Sequence, residues 1–161
     1  MITDSIKSRR SVRKYSPKKV PGAVVDDILD CGRLAPTARN AQPWRLCAVT
    51  STETLKSLGQ LADHGRFIAE SAVCFAVFCQ KDEKYYLEDG CAAAMNIIHA
   101  CHAHGLGSCW VAGDKKAYAE AVGKLLCVPI EYALVALVPA GFPDEAPAPQ
   151  KKPASGVLSR I

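Results

Sequence analysis

Three stretches of this chain carry residue types able to hold a ligand. Arg9-Arg10-Ser11-Val12-Arg13 offers guanidinium groups, a hydroxyl and several backbone N–H groups, a set that suits a phosphate. A solvated basic turn is the plainer reading of the same residues. In Pro36-Thr37-Ala38-Arg39-Asn40-Ala41-Gln42-Pro43-Trp44, the amides of Asn40 and Gln42 supply donors and acceptors that match the edge of a planar heterocycle. They could equally satisfy the backbone of their own loop. Gly105-Leu106-Gly107-Ser108-Cys109-Trp110-Val111-Ala112-Gly113 offers exposed backbone N–H groups. It is neither a dinucleotide fingerprint nor a phosphate-cradling Walker loop, because its glycines follow a helical pattern and open no new helix.

Two other kinds of chemistry are weaker. His99, Cys101, His102 and His104 crowd one helix end, and His99 with His102 would share a helical face. No carboxylate or second cysteine pair completes a ligand set, so the histidines are expected to be helix-end groups and no metal is expected. A cysteine or serine nucleophile lacks any local signature such as GxSxG.

The elements that would position these groups follow from periodicity. Glu88–Ala103 is rich in alanine, the best helix former, and apolar on most faces. It predicts a buried helix closed by Gly105 in a left-handed cap, with Asp89 at its positive end. Thr3 to Arg9 predicts a short helix capped by Thr3. Pro21 predicts the first residue of a second helix, whose apolar positions Val24, Val25, Ile28 and Leu29 recur at helical spacing. Ser51 or Thr52 caps a third over about 53–62, and Asp114 a fourth to about Leu126. Arg45–Thr50, Ala72–Cys79, Ser108–Ala112 and Tyr132–Val138 read as strands, the second and last buried on both faces. After Gly141 the proline-rich FPDEAPAPQKKP cannot join a central sheet and must lie on a surface, its own or a partner's.

At 161 residues the chain reads as a single domain, 1–161, with 142–161 a C-terminal arm. Its eight cysteines lack CxxC spacing and fall mostly in apolar segments, as expected for reduced, buried thiols in the cytoplasm. No signal-peptide pattern or membrane-length apolar run appears, so no membrane association is expected. The net charge of +4 is concentrated in Lys7–Lys19 and at Lys151-Lys152. Without interleaved aromatics or a binding module this does not predict nucleic acid. Two solvated arms, or one small anion held between the two basic ends, both fit.

Taken in order, RRSVRKY at 9–15, PTARNAQPW at 36–44, DGCAAAMNIIHACHAHGLGSCWVAG at 89–113 and GFPDEAPAPQKKP at 141–153 resemble the short form of the FMN-dependent nitroreductase family. The resemblance covers almost the whole chain. It implies an α+β fold with a mixed sheet flanked by helices, and a central helix at a homodimer interface where two FMN sites each draw on both chains. By the same resemblance, Arg9, Arg10 and Ser11 hold the flavin phosphate and ribityl chain, and Arg13 lies near N1 and O2 of the ring. Pro36, Thr37, Ala38 and Asn40 reach over from the partner, supported by Gln42. The backbone of Ala112 and Gly113 faces N5, and Lys151 and Lys152 return to the phosphate.

The chain departs from the family pattern at three places. Asp63-His64-Gly65-Arg66 stands where relatives carry an asparagine at the pyrimidine edge, leaving His64 or Arg66 as candidate substitutes. Ala112 replaces a frequent glutamate or glycine, and the C-terminal pair is lysine, which lacks the bidentate fork of arginine.

The activity implied is a ping-pong oxidoreductase that takes hydride from NADH or NADPH and reduces a small electron-poor acceptor, such as a nitroaromatic or quinone. The cofactor carries the chemistry, so no catalytic side chain is expected beyond it. A flavin-binding or storage protein without efficient turnover would show the same motifs.

Overall fold

Val73-Cys74-Phe75-Ala76-Val77-Phe78-Cys79 is buried at every position, because both faces of its strand are covered by helices. Val73, Phe75, Val77 and Cys79 point into one apolar cluster and Cys74, Ala76 and Phe78 into another. This gives a three-layer domain, settling between the two-layer and three-layer alternatives that the pattern of elements allows.

The computed structural model describes residues 2–161. Helices are α1 Ile2–Ser8, α2 Gly22–Arg33, α3 Thr52–Leu61, α4 Tyr86–Ala103 and α5 Ala119–Leu125. Strands are β1 Trp44–Val49, β2 Val73–Gln80, β3 Gly107–Ser108, β4 Val111–Ala112 and β5 Tyr132–Gly141. The sheet runs β1-β2-β5-β3, with β4 also on β5, and every strand pair is antiparallel. A parallel element enters through the isolated bridge Ser11↔Ser108. Helices α2 and α4 cover one face; α3 and α5 cover the other. The α+β fold expected from the sequence is the one observed.

Helix α4 forms and stops for identifiable reasons. Glu88 and Asp89 lie in its first turn. At its end the Leu106 N–H reaches Cys101 O (2.9 Å), the Gly105 N–H reaches His102 O (3.0 Å), and Gly105 has φ 72°. That is the Schellman closure a glycine permits. Gly90 lets the helix sit directly on the sheet, since a Cβ there would lie 2.6 Å from Val135 Cγ2. Ser51 caps α3, accepting the Thr54 N–H.

Three sequence expectations are corrected. The strand expected over Ser108–Ala112 divides into β3 and β4, with Cys109 and Trp110 between them, although both halves pair with β5. The helix expected from Asp114 begins only at Ala119. Lys115 adopts a left-handed φ of 57°, and the Asp114 carboxylate accepts from Tyr86 Oη (2.8 Å) instead of capping. Thr3 lies inside α1 instead of preceding it.

All eight cysteines are free, and burial pushes the thiols of Cys79 and Cys101 up to about 12. Both folded values lie above the ordinary thiol value of about 8.5, so their contribution to stability is complete below that pH and is lost as pH rises toward 12. We expect stability to fall above pH ~8.5 by up to about 1.4 kcal/mol per pH unit for each such thiol. Urea titrations between pH 7 and 10 measure this, and the slope should flatten in a Cys79→Ala, Cys101→Ala variant.

Candidate functional site

The basic run Arg9–Arg13 leaves α1 as an irregular segment that touches β3 through the single bridge Ser11↔Ser108. The Val12 N–H donates to Ser108 O at 3.0 Å, and a Cβ on Gly107 would fall 2.7 Å from Val12. Glycine at 107 is therefore what lets the basic segment join the sheet edge. Tyr15 anchors the other end, its buried hydroxyl donating to Val12 O (2.7 Å), with Pro139 O at 3.1 Å the alternative acceptor. The C-terminal arm starts on the same segment. Glu145 Oε1 accepts the N–H groups of Arg13 (2.6 Å) and Lys14 (3.2 Å), and the Asp144 N–H reaches Lys14 O at 3.0 Å.

A cleft of about 180 Å³ opens beside this segment, with Arg13, His64, Phe67, Trp110, Ala112 and Tyr118 among its walls. The Arg13 guanidinium lies 6.0 Å from the centre of the Phe67 ring. Cys109 is also present; burial raises its thiol pKa, opposed by Arg13 and by a hydrogen bond from Ser11. The cleft thus combines aromatic walls with charges of both signs, Arg13 and Lys116 against Asp63.

Its floor is shaped by a bulge in β5. Between Val77 and Phe78 the register skips Val135, whose carbonyl turns to accept the N–H groups of Gly113 (3.0 Å) and Asp114 (3.3 Å). With the Gly113 N–H committed to β5, antiparallel alternation directs the N–H and carbonyl of Ala112 away from β5. The Tyr118 hydroxyl donates to that Ala112 carbonyl. Of the two backbone donors expected together at this point, the strand presents Ala112 and engages Gly113 internally.

A second cleft, about 320 Å³, lies on the α1 side and includes Arg9, Arg10, His102, Ser108 and Glu145. Arg10 also closes the end of α1, donating to Lys7 O (2.7 Å) and Arg9 O (2.8 Å). The histidines are occupied or neutral. His102 Nε2 meets Ser8 Oγ at 2.9 Å, and His104 Nε2 meets Asp27 Oδ2 at 2.6 Å. Burial, followed by the nearby Arg9 and His102, holds the pKa of His99 below the usual histidine value. Among the described residues no His, Cys, Asp or Glu group is arranged to hold a metal ion.

The Pro36–Gln42 loop lines neither cleft. It is a strained turn in which Arg39, Asn40 and Gln42 have φ of 54°, 57° and 49°. Buried Asp89 on α4 holds it by accepting the Ala38 N–H (3.1 Å), and Thr37 Oγ1 accepts the Gln42 N–H (3.2 Å). Lys151 and Lys152 are exposed on the arm and also line neither cleft. In one chain, then, Arg13 and Ala112 share one cleft and Arg9, Arg10 and Ser108 another, while the amide loop and the terminal lysines line neither.

Sequence reasoning missed Glu145, Phe67 and Tyr118 as parts of the site. Their roles depend on which segments meet, and no local motif carries that. Of the two candidates in the Asp63–Arg66 turn, His64 lines the cleft beside Arg13 and Arg66 does not.

Fold and clefts together define an α+β domain with one cleft walled by aromatic rings and another that includes two arginines. The chain matches the Nitroreductase family over residues 6–86 and 65–142, and it belongs to that family. It is 30% identical over 186 residues to an iodotyrosine deiodinase of Thermotoga neapolitana, covering 99% of this chain and 97% of that protein. A Methanothermobacter thermautotrophicus protein provisionally named NADH dehydrogenase/NAD(P)H nitroreductase is 29% identical over 151 residues, covering 91% of this chain and 79% of the relative. Among solved structures, an FMN-dependent nitroreductase from Clostridium difficile superposes with a TM-score of 0.90 at 26% identity, covering 98% of each chain.

Proposed function

We propose that this protein is an FMN-dependent oxidoreductase that takes hydride from NADH or NADPH and passes it to a small electron-poor acceptor, of which nitroaromatics and quinones are the expected class. The observation that carries this reading is the meeting of Arg13, the aromatic walls and the outward Ala112 N–H in one cleft, within a chain of the Nitroreductase family. FMN, when bound, supplies the hydride-accepting and hydride-donating ring. Everything else falls to the protein.

Arg13 places a permanent cation where the N1–O2 edge would lie and stabilises negative charge there. Ala112 offers its N–H toward N5, and Tyr118 and the Val135 bulge hold the following Ala112–Gly113 peptide in place. Arg9, Arg10 and Ser11 attract the phosphate and ribityl chain, with Lys151 and Lys152 brought in by the arm. His64 is assigned to the pyrimidine edge.

The remaining contacts come from a second chain. Pro36, Thr37, Ala38, Asn40 and Gln42 are preformed by Asp89 but lie outside the cleft of their own chain, and pairing along α4 would carry them to a partner's flavin. Exposed Met95 on α4, Leu34 beside the loop, and Val157 and Leu158 on the arm are the apolar surface such a partner would cover. Among the described residues no helix is long and apolar enough to cross a membrane.

One spectrum tests the function. Purified protein should show oxidised flavin absorbance, or acquire it on adding FMN, and the band should bleach rapidly with NADH or NADPH. A colourless protein that ignores FMN refutes the reading, and a bound flavin that does not bleach assigns storage instead. Native mass spectrometry should find two chains; a monomer retaining FMN refutes the shared site.

Tyr118→Phe isolates one contact. Losing the hydroxyl that fixes Ala112 should cost about 1 kcal/mol of stability and weaken FMN binding several-fold, with the dimer intact. Calorimetry of the apoprotein with FMN measures it.

A further inference from the structure

A third cleft of about 370 Å³ lies between α5, the 113–118 turn and the start of β5, outside the site described above. Four lysines reach it, Lys81, Lys115, Lys116 and Lys124, against two carboxylates, Asp114 and Glu120. The carboxylates are already engaged. Glu120 pairs with Lys124 at 2.7 Å, and Asp114 accepts the Tyr86 hydroxyl at 2.8 Å. Lys81 Nζ donates to the Ile130 carbonyl (2.6 Å) and, behind Lys124, helps hold the Glu120 carboxyl below its usual range, and Lys115 comes no nearer than 4.0 Å to Asp114. An excess of positive charge therefore faces a concave surface. Such a surface attracts anions.

Part of the lining beside the lysines is apolar. Pro129, Ile130 and Tyr132 form it, and Ile130 is 73% exposed, unusual for isoleucine in a domain whose other strand-flanking aliphatics are largely covered. A cationic rim beside an apolar ledge suits a phosphorylated molecule bearing a planar heterocycle. Lys116 lines both this cleft and the one assigned to the flavin, and the 113–118 turn is the wall between them.

We propose that this cleft receives the adenosine-phosphate tail of the nicotinamide reductant, the lysines meeting its phosphates and the Pro129–Ile130–Tyr132 ledge its adenine. The inference rests on the flavin reading above and gives its reductant a docking site. Hydride chemistry stays in the first cleft; this one supplies affinity.

The test uses flavin-loaded protein and two substitutions at exposed positions, Lys115→Ala and Ile130→Ser, so that one removes charge and the other removes the ledge. Each should raise KM for NADH and NADPH about tenfold at low salt, and the Lys115 effect should shrink to about threefold or less near 0.5 M salt. Oxidation of 1-benzyl-1,4-dihydronicotinamide, which has no phosphate tail, should be unchanged in both. The redox-inactive fragment 2′,5′-ADP should bind wild-type protein and compete with NADPH. Unchanged KM values for NADH and NADPH in both variants overturn the proposal, as does 2′,5′-ADP that competes with the acceptor but not with NADPH. Failure of the flavin reading looks different: neither NADPH nor the tail-less reductant bleaches a flavin band.

Discussion

Replacing Arg13 by alanine should lower the two-electron potential of bound FMN by roughly 30–60 mV, corresponding to about 1.4–2.8 kcal/mol of lost preference for the reduced, negatively charged form. The same change should weaken FMN binding about tenfold, since a cation contact to a charged group is worth more than a neutral hydrogen bond. The reason is positional. Glu145 holds the backbone of residue 13, and the Phe67 ring flanks its guanidinium. Spectroelectrochemistry on fully loaded protein measures the potential separately from affinity. An unchanged potential removes Arg13 from the N1–O2 edge, and Arg13→Lys should recover part of the shift by restoring charge without the planar fork.

Gly113→Ala should be the more damaging change to the fold. A Cβ at that position would lie 2.6 Å from Leu134 Cγ and 2.9 Å from the backbone carbon of Val135. Side chains can rotate away from such a contact, but the β5 backbone can yield only by breaking the bulge. We expect a loss of about 3 kcal/mol, and therefore a Tm lower by roughly 6–12 °C. The flavin should be lost as well, because displacing residue 113 pulls the Ala112 peptide from its place. Circular dichroism melts of the apoprotein read the first effect, and FMN titration at a temperature where the variant remains folded reads the second. Gly105→Ala makes a useful contrast: nothing lies within 4 Å of a Cβ there, so its cost is confined to the left-handed φ of one residue.

Much of the fold is legible locally. Helix α4 is announced by its alanines and ended by Gly105, and α3 by the Ser51 cap. The continuous apolar run of β2 declares a strand covered on both faces. What local patterns misjudge lies between Ser108 and Tyr118. That segment reads as one strand followed at once by a helix, and it is in fact β3, an irregular pair, β4 and a turn with Lys115 left-handed. The apolar pattern there is shared by both arrangements. The deciding interactions, Val135 O with two N–H groups and Asp114 with Tyr86, come from segments far away in sequence.

The candidate site divides the same way. Residue types and order alone determined the basic run, the amide-rich loop and the Gly105–Gly113 turn, and with them the family, because those segments carry their chemistry in consecutive residues. Only the tertiary structure decided which of them share a cleft. It laid Arg13 beside Phe67 and Ala112, set the Pro36–Gln42 loop apart under the hold of Asp89, and brought Glu145 back from the arm to residues 13 and 14. It also divided the two donors expected at 112 and 113, since one residue inserted in β5 determines which N–H points outward. The central helix Glu88–Ala103 shows both sides: its sequence specifies that it forms and where it stops, while its close seat on Val135 and its grip on the loop through Asp89 exist only once the sheet is assembled.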